Sequence, residues 1–232
     1  MHTQIQSIII FISVISVIAF MSKPIRNLME LRLGSLRAIY NPWRFVSYGL
    51  IHSDLQHLIM NMLSFWFFSS MMLQFHTIYQ VVLVFLAGIL LPPIAGYFLM
   101  FFYPNRLRVV GASGGCYAVM GAALMSNYDG GINFFGYPMP GFHILLIVVA
   151  YDVVGALFSG KDDTWHFGHG VGLVAGLVTL HLLDFPGTLL VLNALEMIPI
   201  PSDLNWVHSL GAEAYQVGQK ITSEINNIAQ SN

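Results

Sequence analysis

The chain has 232 residues, of which 56% are hydrophobic and 9% charged, against about 25% charged in an ordinary soluble domain; with a mean hydropathy of +0.70 it is excluded from that class and belongs in a bilayer. A net charge of −2 without any block of Lys or Arg argues against nucleic acid as a partner, and the single cysteine, Cys116, excludes an internal disulfide. Because a spanning helix takes about 20 apolar residues, the length suits one compact membrane bundle with short loops.

Apolar runs follow in chain order at roughly 5 to 21, 55 to 73, 79 to 102, 112 to 127, 141 to 159 and 167 to 184, each near the length of a tilted spanning helix. The first run lacks a basic leader and a small-residue cleavage site, so it reads as a retained helix and not a signal peptide. The connection 22–54 holds Pro24 and Pro42. Its Leu28, Leu31 and Leu36 can share one helical face, which predicts a long interfacial first loop anchored by Trp43. The fourth run is rich in Gly and Ala; small residues let backbones approach, so this helix is expected at the centre. Beyond the sixth run, Trp206, Leu210, Ala214, Val217, Ile221, Ile225 and Ile228 recur at helical spacing. The predicted organisation is therefore a membrane domain over 1–187 and an amphipathic C-terminal tail over 188–232, which lies on the membrane, pairs with a partner helix or packs on its own bundle.

Polar groups within spanning segments are costly and point to function. Here they are His52, His57, Asn61, Ser113, Tyr117, Asp152, His166, His169 and His181. His57 and Asn61, four apart, face one side of a helix. Ser113 lies in Gly111-Ala112-Ser113-Gly114-Gly115 at a helix start, where unpaired backbone N–H groups can receive an anion beside an accessible hydroxyl. That suits a nucleophile next to an oxyanion site. The same pentapeptide fits the nucleophile elbow of soluble α/β hydrolases, but no alternation of strands and helices surrounds it. In the sixth run Gly168, Gly172 and Gly176 repeat at intervals of four, a pattern for tight helix contact. Packed against the small-faced fourth helix, this one would bring His169 to Ser113, whose hydroxyl needs an imidazole to take its proton.

Trp43-Arg44, then His52, His57 and Asn61, then Gly111 to Gly121 as GASGGCYAVMG, then His169 to Gly176 as HGVGLVAG, are similar to the signature blocks of rhomboid proteases: WR, HxxxxHxxxN, GxSGxxYAxxG and HxxGxxxG. They run in family order and spacing from Trp43 to Gly176. Gly168 stands where the family often has alanine, a small-for-small exchange. The resemblance implies an all-α, six-transmembrane-helix rhomboid-like bundle. In it Ser113 attacks a peptide carbonyl and His169 acts as base and then as acid, with Tyr117 packed beside the imidazole. His57, Asn61 and the Ser113 N–H would hold the oxyanion, Gly111 and Gly114 would support the nucleophile, and His52 would tie the first loop to the core. The family pattern has no carboxylate behind the histidine, so a dyad is expected.

Each of these residues also has a plainer reading. Ser113 could cap or pack a helix, and His57 and Asn61 could simply join two helices. Asp152 is expected to pair with a local polar group or reach toward water and not to complete a triad. His166 and His169 lie near one face, yet a metal would want further ligands, so neither metal nor cofactor is predicted. The expected function is an intramembrane serine endopeptidase of the cell (inner) membrane or an organellar one, acting on transmembrane protein substrates within the lipid bilayer. A non-catalytic rhomboid-like client-binding protein is the alternative, and a small ion transporter is a third reading. Lys23, Arg26, Arg32, Arg37, Arg44, Arg106, Arg108 and Lys161 fall on the first-loop side and Lys220 opposite. The positive-inside rule makes that side cytoplasmic, whereas many bacterial rhomboids have it outside, so orientation stays open.

Overall fold

A backbone in lipid must satisfy its own hydrogen bonds, which turns long apolar runs into helices. The computed structural model describes residues 2–33, 40–100, 108–134, 136–158 and 166–184; the expected tail over 188–232 lies outside them. The elements are α1 (His2–Met21), α2 (Lys23–Met29), β1 (Leu31–Arg32), α3 (Arg44–Ser47), a 3₁₀ turn (Tyr48–Leu50), α4 (Leu55–Met72), α5 (Ile78–Met100), β2 (Arg108–Val109), α6 (Ser113–Ser126), β3 (Gly131–Phe134), β4 (Tyr137–Pro140), α7 (Gly141–Phe158) and α8 (His166–Leu183). Three of the described helices, α1, α5 and α8, are long and apolar enough to cross a membrane.

The chain is thus mostly helical, with a correction to the all-α expectation. β1 pairs antiparallel with β2, Leu31 facing Val109, and β3 pairs with β4 as a hairpin. The first loop departs from the single leucine face as well. After α2, Glu30 turns extended at φ −60 and ψ 138, so Leu28 is helical while Leu31 belongs to a strand; Leu36 lies outside the described residues. Side chains fasten the end of α2. Trp43 donates from Nε1 to the Leu28 carbonyl, Ser47 from Oγ to that of Met29, and Arg44 from Nη1 to that of Glu30. These carbonyls are among those a helix end leaves unpaired. Tyr48, buried, donates its hydroxyl to the Ile89 carbonyl at 2.7 Å and so ties the loop to α5.

At the centre, α6 is buried from Gly114 to Leu124 apart from Tyr117 and packs against α4, α5, α7 and α8. Missing side chains permit this. A Cβ on Gly172 would come to 3.0 Å from both Cα and C of Gly114, and one on Gly176 to 2.6 Å from those atoms of Ala118. On the other flank, Gly88 of α5 meets Gly114 and Gly115, and Pro92 lies against Gly114. The first turn of α6 is therefore gripped from two sides by backbone.

Candidate active site

The turn that leads into α6 fixes Ser113. Gly111 sits at φ +114, a region that only glycine enters readily, and donates its N–H to the Tyr48 carbonyl at 2.9 Å. A Cβ there would lie 2.6 Å from Cε1 and 2.8 Å from Nε2 of His57, so the glycine also makes room for that ring. The first hydrogen bond into α6 is Cys116 N–H to the Ala112 carbonyl at 3.0 Å. The amides of Ser113, Gly114 and Gly115 thus precede the ladder, the condition for anion binding at a helix start.

His52, fully buried, organises this turn from behind. Its Nε2 accepts from the Ala112 N–H at 3.4 Å and its Nδ1 lies 2.9 Å from Ser16 Oγ, which donates to the Leu50 carbonyl at 2.9 Å. All three bonds form together only if the ring is neutral with hydrogen on Nδ1. Burial pushes the His52 pKa from 6.5 down to about 3, which keeps it in that state. His52 and His57 meet edge to face at 5.1 Å.

Asp54 caps α4, its Oδ1 accepting from the His57 N–H at 2.8 Å, and this and the Ser53 hydroxyl hold its carboxyl below the usual carboxylate range. Ser53 Oγ donates to Asp54 Oδ2 at 2.7 Å and lies 3.0 Å from His57 Nδ1. His57 can donate from Nε2 when the Ser53 hydroxyl turns toward Nδ1 or when the ring is protonated. One turn on, Asn61 donates from Nδ2 to the His57 carbonyl at 2.9 Å and accepts at its backbone oxygen from Cys116 Sγ at 3.4 Å.

His169 lies flat on Tyr117, with ring centroids 4.2 Å apart and planes 11° from parallel. Tyr117 is four residues beyond Ser113 on α6, so the imidazole stands on the Ser113 side of the helix. The Ser113 hydroxyl has no hydrogen-bond partner among the described residues; such bonds commonly tighten only around substrate.

Behind His169 stands a carboxylate. Asp152 Oδ1 lies 3.3 Å from His169 Nδ1 and 2.9 Å from His166 Nδ1. The expectation of a histidine without a carboxylate partner therefore does not hold here. Rotation of α7 brings this about: Gly155, one turn beyond Asp152, leaves the space that the His166 ring fills, with its Nδ1 2.7 Å from where a Cβ would be. Asp152 and Gly155 on one face, opposite His166 and His169 on another, were the available sequence signal.

A helix-start serine and a histidine stacked on Tyr117 thus stand on glycine-packed helices of a mostly helical, apolar chain. The Rhomboid domain family matches residues 40–184, and the chain belongs to the rhomboid family of integral membrane proteins. It is 35% identical over 119 residues to Rhomboid-related protein 2 of Mus musculus, a match covering 50% of this chain and 37% of that protein. The chain thus spans little more than a third of the length of that relative.

Proposed function

We propose that this chain is an intramembrane serine endopeptidase that cleaves membrane protein substrates in or near their transmembrane segments. The observation that carries the reading is the His169 imidazole, held between the Tyr117 ring and the Asp152 carboxylate on a helix pressed against that of Ser113. Asp152 accepts from Nδ1–H, which leaves Nε2 with the lone pair a general base requires. Nε2 takes the Ser113 proton as Oγ attacks the scissile carbonyl, and returns it to the leaving amine. Water then repeats the sequence on the acyl-enzyme. The oxyanion meets the early amides of α6, His57 Nε2–H and the second amide hydrogen of Asn61.

In this reading α1, α4, α5, α6, α7 and α8 form a six-span bundle over 1–187, the first loop lies in the interface, and 188–232 form an appended tail. The 14 residues of α6 rise about 21 Å, short of the ~30 Å hydrocarbon layer. With its C-terminal end at one surface, Ser113 is recessed by roughly 10 Å from the other, which admits water to a shallow polar site. A substrate helix hides its carbonyls in hydrogen bonds, so segments with Gly or Pro near the scissile bond unwind and are cut most readily.

The test is cleavage of a single-span reporter, with Gly and Ala near the membrane surface, in proteoliposomes. Wild type should yield two fragments, and Ser113→Ala and His169→Ala neither. Cleavage that persists in folded Ser113→Ala would overturn the assignment; absence of cleavage by every form would favour the client-binding alternative.

A further inference from the structure

Asp152, His166 and His169 offer more than an orienting contact. The two imidazole Nδ1 atoms converge on one carboxylate oxygen at 2.9 and 3.3 Å, and one ligand atom from each residue can be chosen so that all lie within 4.8 Å of one another. Their side chains are 7%, 4% and 13% exposed. Asp152 Oδ2 is buried and accepts no hydrogen bond of ordinary length among the described residues; the Tyr117 hydroxyl is the neighbouring donor. A buried carboxylate oxygen without a short hydrogen bond is costly, and beside two imidazoles it is free to take up a cation.

We propose that this cluster binds one divalent transition-metal ion, zinc fitting best, and that occupancy and proteolysis exclude each other. Zinc bonds imidazole nitrogen and carboxylate oxygen at about 2.0–2.2 Å, which in a tetrahedral shell sets ligand atoms about 3.4 Å apart. The two nitrogen–oxygen separations, 2.9 and 3.3 Å, come close to that, and with all three ligand atoms within 4.8 Å of one another a small closing of the two imidazoles completes the shell. Two imidazoles and one carboxylate leave a fourth position for water, the arrangement of an open zinc site. Hard cations such as calcium and magnesium, which want six or more oxygens, find too few here.

Exclusion follows from the tautomer. In the hydrogen-bonded state His169 carries its proton on Nδ1. A metal on Nδ1 needs that lone pair, so the proton passes by way of solvent to Nε2, with no net change of protein charge. Nε2–H cannot accept the proton of Ser113. This second half rests on His169 being the general base; ion binding itself does not.

The two halves are tested separately. In full-length Ser113→Ala in nanodiscs, Co²⁺ should produce visible d–d bands that saturate at one equivalent and disappear when Zn²⁺ is added. His166→Ala and His166→Gln in that background should weaken binding by at least ~10-fold, while His181→Ala leaves it unchanged. Thermal unfolding of each variant identifies any that has lost its fold, and the two His166 variants guard against such loss. No saturable band, or the same affinity in a folded His166 variant, overturns the site. For the second half, reporter cleavage by wild type should fall as free Zn²⁺ rises and recover with chelator, and the His166 variants, each normalised to its own metal-free rate, should resist. Undiminished cleavage at a zinc concentration that saturates the site overturns the exclusion. If wild type never cleaves, the protease reading fails, and the cobalt titration still decides the site.

Discussion

The contact between α6 and α8 leaves no room for a methyl group, and Gly172→Ala measures what that closeness does. The added Cβ would lie 3.0 Å from Gly114 Cα and C and closer to its oxygen, whereas carbon atoms rest at about 3.5–4.0 Å. The obstacle is backbone at the first turn of α6, so the helices must part by ~0.5–1 Å. Overpacking of this kind costs about 1–3 kcal/mol, and a 1 Å displacement of reacting groups can lower a rate by roughly 100-fold. Single-turnover cleavage by Gly172→Ala should therefore fall by about 10- to 100-fold in protein that still folds. Gly170→Ala is the control, since a Cβ there has nothing within 4 Å, and its rate should stay within about twofold of wild type. Wild-type speed in Gly172→Ala, with unfolding midpoints unchanged, would refute the claim that backbone contact sets the reacting geometry.

Other outcomes follow from neighbouring groups. Asp152→Asn removes an ionised acceptor worth about 1.5–3 kcal/mol, so kcat should drop roughly 10- to 100-fold with little change in KM in the reporter assay. Gly111→Ala forces a side chain to adopt φ +114 against the His57 ring; stability in denaturant titration should fall by about 1–3 kcal/mol, with cleavage lost. His52 titrates in the unfolded chain near 6.5 and in the fold near 3. Between those values the unfolded state binds more protons. Its contribution to stability is thus complete above pH 6.5 and declines as pH falls toward 3, and unfolding midpoints taken across that range should show a slope that His52→Gln reduces.

Long apolar runs were legible because lipid demands both length and internal hydrogen bonding: the runs at 79 to 102 and 112 to 127 correspond to Ile78–Met100 and Ser113–Ser126. The short strands were not. Leu31 pairs with Val109 across most of the first half of the chain, a contact that local periodicity cannot carry. The Gly- and Pro-containing segments Gly131–Phe134 and Tyr137–Pro140 pair antiparallel with no alternating apolar pattern to announce them. At the site, Gly111 and the glycines of α8 could be read as positions of close approach, because an absent side chain has few other uses there. Asp152 stood out as a charge within an apolar run, with Gly155 one turn on as the further sign of a close neighbour. Which neighbour it meets depends on the rotation of α7, and that is set by Gly155 accommodating His166.

The central claim is that Ser113 is a nucleophile activated by His169. Intact-mass and peptide-mapping mass spectrometry after treatment with a fluorophosphonate tests it most directly. The account predicts a single adduct on Ser113, absent from Ser113→Ala and strongly reduced in His169→Ala. A folded wild-type protein that stays unmodified, or is modified at another residue, would contradict it.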